Sequence, residues 1–269
     1  MRRSGLLLLG VVGCGPFVRV DRQSGTDRRI TVEDVRSRMY LVAHDSMQGR
    51  EAGEIGNVKM TNYIAAELAR IGLEPGGDNG TYFQTVPMVR RRADSTSSLR
   101  VGNEDLAVFT DFAPLRPTSS LRSGTRLSAA QASTVYGGRA GDTTISLSPD
   151  QVTGKIVVLD APLGSDGKPT AVYATPTGLS LSRFPTAAAV AVAGLDFVSA
   201  ATKASLRGRG NGLSVRTENP PLTLLISRDA AVKLMGAPLE SLRPGAEGRT
   251  ASARIGFLDQ PVTAPARNV

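Results

Sequence analysis

His44 and Cys14 are the only imidazole and the only thiol in a chain of 269 residues, and that scarcity bounds the chemistry open to it. A two-metal zinc centre needs several imidazoles and bridging carboxylates converging on an open coordination position. The sequence has no second histidine and no adjacent Glu-Glu pair. One cysteine excludes an internal disulfide and a thiolate zinc cluster. Ser-His-Asp hydrolysis stays formally open, but His44-Asp45 falls at the end of a predicted helix, where a helix-end contact or a loop hydrogen bond accounts for the ring. Ser165 and Lys168 match Ser-x-x-Lys, in which the lysine takes the serine proton from one helical turn on. Gly164, Gly167 and Pro169 make that segment a turn instead. Gly208-Arg209-Gly210-Asn211-Gly212 has the composition of a phosphate cradle, yet it follows no clear strand and opens no helix, so it reads as a flexible loop. Asn79-Gly80-Thr81 is a formal glycosylation sequon, without meaning in a bacterial chain. No catalytic residue and no metal ligand is assigned, and substrate-binding residues stay unknown.

The formal charge is +8, which raises the question of a polyanionic partner. Nucleic-acid binding needs a clustered basic footprint. The basic residues here are scattered, the one tight run is Arg90-Arg91-Arg92, and no aromatic residue is interleaved with it. The reading is a solvated surface and no nucleic acid.

At the N-terminus, Met1-Arg2-Arg3 precedes the apolar run Gly5 to Gly13, too short to span a bilayer. Val11-Val12-Gly13-Cys14 resembles the bacterial lipobox, which makes Cys14 a lipidation site with the chain cut just before it. Acyl chains there would anchor the protein to a membrane, at about 0.8 kcal/mol per buried methylene. The alternatives are a plain signal peptide with an incidental cysteine, or a buried N-terminal strand. Residues 1–14 are thus read as signal peptide and lipobox, and 15–30 as a polar tether. The expected location is exported: the cell envelope, as a membrane-anchored lipoprotein or as a periplasmic or extracellular protein.

The elements that would position any site divide into two groups. Thr31 offers an N-cap with Glu33 and Asp34 behind it, and Val32, Val35, Met39 and Val42 recur at helical spacing to about Ala43. After the loop His44 to Gly53, a second helix presents Met60, Ile64, Leu68 and Ile71 and stops at Gly72. Thr81 to Val89 reads as a strand. Ser95 to Ser128 shows little periodicity and reads as a linker or decorated edge. Beyond it, Val152 to Asp160 contains a short β-branched run, Ile156-Val157-Val158-Leu159, bounded by Thr-Gly and Asp-Ala-Pro, which reads as a strand buried on both faces. Further strands are predicted at Ser133–Tyr136, Asp196–Ser199, Leu222–Ile226 and Ala251–Leu258. Helices are predicted at Ala187–Gly194 and at Asp229–Met235, the second capped by Ser227. The fold class is α/β (α+β): a helical N-terminal segment with one strand, then a compact β-sheet or barrel with flanking helices.

Two stretches carry a resemblance. Asp45-Ser46-Met47-Gln48-Gly49-Arg50-Glu51-Ala52-Gly53 between helices, then Ile71-Gly72-Leu73-Glu74-Pro75 and Tyr82-Phe83-Gln84-Thr85-Val86-Pro87, resembles the N-terminal segment of the aminopeptidase Y family of secreted, co-catalytic zinc peptidases. Val135-Tyr136-Gly137-Gly138, Leu147 to Val158 and Pro221-Leu222-Thr223 resemble the protease-associated domain that many members carry as an insertion. The family usually has a Gly-Ala pair before its middle strand, and the alanine-rich Ala187 to Gly194 departs from that.

The resemblance implies a domain plan: 31–92 as the leading segment of an incomplete peptidase domain, 93–130 as linker or edge of the insertion, 131–260 as the protease-associated domain, and 261–269 as the start of the catalytic domain. In the family, Asn-Val opens the first core strand, here Asn268-Val269, and the zinc ligands follow it. The expectation is therefore a fragment of a zinc aminopeptidase, inactive alone. Zinc would be a cofactor of the full-length family and not of this chain. Implied partners are a peptide or protein substrate met by the protease-associated domain, the membrane through Cys14, and a missing catalytic half in another chain. The alternative is a free-standing protease-associated module that binds protein or peptide at the cell envelope.

Overall fold

The structure is a computed structural model that describes residues 30–115, 125–170, 183–214 and 221–269; the expectations for Cys14 and the tether lie outside the described residues. In chain order, helices α1 (Val32–Ala43) and α2 (Ile55–Arg70) come first. Strands β1 (Gln84–Thr85), β2 (Met88–Ala93), β3 (Ser98–Val101), β4 (Glu104–Leu106), β5 (Phe112–Pro114), β6 (Arg126–Ala132) and β7 (Thr134–Arg139) follow. Then come the one-turn helix α3 (Pro149–Val152), strands β8 (Ile156–Asp160) and β9 (Ala189–Ala193), helix α4 (Ala200–Arg207), and strands β10 (Arg209–Leu213) and β11 (Leu222–Ile226). Helix α5 (Arg228–Met235), the long β12 (Ala251–Pro261) and β13 (Arg267–Asn268) complete the order. The fold is α/β, and among the described residues its strands form three sheets.

The central sheet runs β5-β11-β9-β8-β7, with β7, β8, β9 and β11 parallel and β5 an antiparallel edge. Every residue of β8, β9 and β11 is buried. Ile156, Val158, Ala191 and Leu224 point into one core, and Val157, Leu159, Val192 and Leu225 into a second. Burial on both faces is why these strands read as unbroken apolar runs.

The second sheet is antiparallel, β10-β2-β12-β3-β4, with β6 on the other edge of β12. Its inner positions Leu99, Val101, Leu127, Ala253 and Ile255 share a core with one face of the central sheet and with α5. Its alternate positions, such as Ser98, Arg100, Arg126 and Arg254, are exposed. The two sheets thus form a sandwich, one member doubly buried and the other half-exposed. The third sheet is only the β1–β13 ladder, Gln84 with Asn268 and Thr85 with Arg267.

Several sequence expectations change here. Ala187–Gly194 is not a helix: Ala189–Ala193 is a central strand. Alanine favours helix intrinsically, but the Ala-Val alternation puts small side chains toward one core and valines toward the other, and burial on both sides overrides propensity. Asp196–Ser199 is not a strand: Leu195–Phe197 is a 3₁₀ turn, and Ser199 caps α4 by accepting the Thr202 N–H. Of the two readings of Ser95–Ser128, linker or decorated edge, the described residues fit the edge, with β4 and β5 the end strands of their sheets. The stretch contains β3, β4, β5 and the start of β6, each too short for its alternation to register. Thr81–Val89 is broken: Gly77 and Asp78 N–H groups bond back to Thr81 O (2.6 Å) and Phe83 O (2.7 Å), and Pro87, lacking an N–H, separates β1 from β2. Gly208–Gly212 is not a loop but falls largely in β10, held by ladder bonds to β2.

Candidate functional site

The parallel strands end together, and each ends in charge. Arg139 closes β7, Asp160 closes β8, Asp196 follows β9, and Arg228 opens α5 directly after β11 and Ser227. This is the carboxyl edge of a parallel sheet, where open α/β folds place their ligands. The bulge that brings Arg139 in register with Asp160 falls at Gly137-Gly138. Gly138 takes φ +85°, a conformation that side-chain-bearing residues avoid, so the strand gains a residue there without strain.

Asp160 is the buried member, its side chain 5% exposed. Its carboxylate takes Arg139 at 2.8 Å and the Ala161 N–H at 2.8 Å, with Arg228 at 3.6 Å. Arg139 also donates to Ala161 O at 2.8 Å. Arg228 pairs with Glu240, and its backbone N–H donates to Asp196 Oδ2 at 2.7 Å. Burial, and then the negative charge of Asp160, pushes the Tyr136 phenol above its ordinary value and keeps it neutral. Both arginine side chains remain 36% exposed. The cluster thus sets two guanidinium groups against the carboxylates of Asp160, Asp196 and Glu240, and its charges are largely met within the cluster itself.

A second arrangement joins the N-terminal helices to the sandwich. Gly56, in the first turn of α2, lies so close to Met47 O and Gly49 O that a Cβ would overlap both, which lets the Gly49–Gly53 loop lie against the helix. Asn211 of β10 donates to Ala52 O at 2.8 Å, the Ala264 N–H donates to Gly53 O at 3.0 Å, and Arg90 pairs with Glu54. Arg267 of β13 then reaches across α2. Its Nε donates to Thr61 Oγ1 at 2.8 Å, its NH2 group to Val58 O at 3.0 Å and to Asn62 Oδ1, and its guanidinium stacks 3.7 Å from the centroid of the Phe83 ring. On the far side, Ile30, Val35, Ile64, Leu68 and Ile71 line a groove of about 420 Å³ between α1 and α2.

The residues singled out by sequence are placed separately. His44 ends α1, and its Nδ1 accepts the Ser46 N–H at 3.1 Å, so the ring serves its own turn. Ser165 and Lys168 lie in a turn closed by Gly164 N–H to Lys168 O at 2.8 Å, not one helical turn apart. Arg90-Arg91-Arg92 is not one solvated run: Arg91 is buried and forked onto Asp259 at 2.6 and 2.8 Å, while Arg90 and Arg92 point to the opposite face of β2. Among the described residues no group of three His, Cys, Asp or Glu side chains converges as a metal site. With one histidine in the chain, the residues present do not fit a co-catalytic zinc pair. Sequence reading missed Arg139, Asp160, Asp196 and Arg228. The available signal was a charge at or just beyond the end of each buried apolar run.

No protein-family model matches the sequence, and no curated protein matches it. Among solved structures the chain is similar to an aminopeptidase from Aneurinibacillus sp. strain AM-1, with 15% identity and a TM-score of 0.35, over 85% of this chain and 45% of that one. The chain thus spans less than half the length of that protein.

Proposed function

We propose that this chain supplies the leading scaffold and the substrate-gating sandwich of a secreted zinc aminopeptidase, with the metal ligands provided by polypeptide outside this sequence. The observation that carries this reading is the unfinished layer around α1 and α2. Val32, Met39 and Tyr40 are 78%, 62% and 64% exposed beside the apolar groove, and the sheet next to them is a two-residue ladder. A ladder that small cannot bury such a face, and contiguous exposed apolar surface marks a missing partner. A larger sheet continuing from β13 would cover it, as the catalytic domain does in the family the sequence resembles. The sandwich would then act as the protease-associated cap that meets the peptide or protein substrate. An acylated Cys14 would hold the assembly at the cell envelope.

The test is peptidase assay of the full chain with zinc on an aminoacyl-nitroanilide. The expected result is no release alone and chelator-sensitive release when the chain is co-expressed with a segment carrying His-x-Asp and an adjacent glutamate pair. Chelator-sensitive turnover by this chain by itself overturns the proposal. One observation favours a second reading, a free-standing protein- or peptide-binding module. Both hydrophobic cores of the sandwich are built from residues beyond Val86, so the sandwich closes without the helices. Failure of every such co-expressed segment to restore activity, with the chain eluting as a folded monomer, moves the assignment there.

A further inference from the structure

The sequence scatters its arginines, and the sheet gathers them. Side chains alternate between the two faces of a strand, and residues opposite one another in an antiparallel pair share a face. In the second sheet Arg209 lies opposite Arg92, and Arg92 opposite Leu258. Arg254 lies opposite Ser98 on one side and Ser128 on the other, Arg126 opposite Gly256, and Arg100 opposite Ser252. Arg90, Arg92, Arg100, Arg126, Arg209 and Arg254 therefore all project from the outer face, away from the core built by Leu99, Leu127 and Ile255. Arg100, Arg126, Arg209 and Arg254 are exposed, and Arg90 and Arg92 are half-buried.

Counter-charge on this face is incomplete. Glu54 takes Arg90, and Asp105 takes Arg100 through two bonds of 2.7 Å. Asp94, in the turn between β2 and β3, accepts the Thr96 N–H and hydroxyl and meets Arg254 and Arg92 only through longer-range attraction. Among the described residues Arg92, Arg126, Arg209 and Arg254 enter no ion pair, and Arg92 Nε is buried without an acceptor. The result is an array of arginines carried on adjacent strands, spread over on the order of 15 Å at ordinary strand spacing.

We propose that this outer face docks onto an anionic phospholipid surface. Guanidinium groups fork onto phosphate oxygens and are weakly hydrated, and an array spread over a sheet face matches a plane of phosphates. The face carries no aromatic ring, which a single-stranded nucleic acid would need for stacking, and no projecting helix or ribbon to enter a duplex groove. The proposal does not rest on the peptidase reading, since it uses the sandwich alone.

The experiment is co-sedimentation of the full chain carrying Cys14→Ser, so that no acyl chain contributes, with vesicles of phosphatidylglycerol or of phosphatidylcholine. Each basic residue near an anionic surface strengthens binding several-fold, so R126E/R209E/R254E should weaken phosphatidylglycerol binding by about tenfold or more. Reversal of Arg36, Lys168 and Arg243, exposed residues elsewhere, should weaken it far less, and high salt should release the protein. Equal binding to both lipids, or equal loss in the two triple variants, overturns the proposal. So does retention by a single-stranded oligonucleotide with no vesicle binding, which would transfer the face to nucleic acid. Circular dichroism of both variants guards against unfolding, and an unfolded R126E/R209E/R254E would be replaced by R126Q/R209Q/R254Q under the same criteria.

Discussion

Asp160 is the residue with most at stake on the carboxyl edge, because its charge has left water while those of its two arginines have not. Removing Arg139 leaves the carboxylate buried with the Ala161 N–H and only the longer Arg228 contact for its charge, whereas Asp160→Asn leaves two arginine side chains that still reach solvent. Breaking a buried pair by deleting one partner typically costs 3 kcal/mol or more. Arg139→Ala should therefore destabilise by about 3 kcal/mol, and Asp160→Asn by about half as much. Urea unfolding midpoints measure both, and a larger loss in Asp160→Asn would refute the argument. These residues were visible in the sequence only as charges ending apolar runs. That they meet depends on three strands, distant in the chain, ending at the same level.

At the scale of the element, α1 shows how far local signals reach. Thr31 caps it, and Asp34 completes a capping box by accepting the Thr31 hydroxyl at 2.7 Å and its N–H at 3.0 Å. Those bonds, helped by Arg38 and opposed by burial, hold the Asp34 carboxyl below the ordinary aspartate range. A depressed folded value means the stabilisation is full above the unfolded value of about 3.9 and disappears as pH falls through the folded one. At neutral pH, Asp34→Asn should lower amide protection across Val35–Met39, and the two proteins should converge at acid pH. A difference that persists there would show that charge is not the cause. Helix caps were legible because they are local. Strands β3 to β5 were not: a strand of three or four residues offers one or two alternations, no more than chance. Strand β9 was misread because alanine's helix preference is also local, while its burial between two cores is not.

For the whole molecule, the question is how the helices stay attached to a sandwich that does not need them for its cores. The Gly49–Gly53 loop and Arg267 supply the grip. Arg267→Ala removes charged donors to Thr61, Val58 and Asn62 and the stack on Phe83, a loss of roughly 2–3 kcal/mol. Hydrogen exchange should accelerate over residues 31–86 in that variant and stay unchanged over 133–258. Arg267→Lys should not restore protection, because a point charge cannot fork across the helix. Uniform acceleration across the chain would mean that helices and sandwich unfold as one unit.

Composition and local pattern by themselves determined the class of the fold, the caps of α1 and α5, the doubly buried β8, the strand at β11, the turn at Ser165–Lys168, and the poverty of metal ligands. Each depends on residue type or on neighbours a few positions away. Only the tertiary structure decided that Arg139, Asp160 and Arg228 form one cluster, that Arg267 bolts the helices down, and that arginines from separate strands share a face. Those facts follow from strand order and register, which are set by burying both cores at once and leave no trace in any short window of sequence.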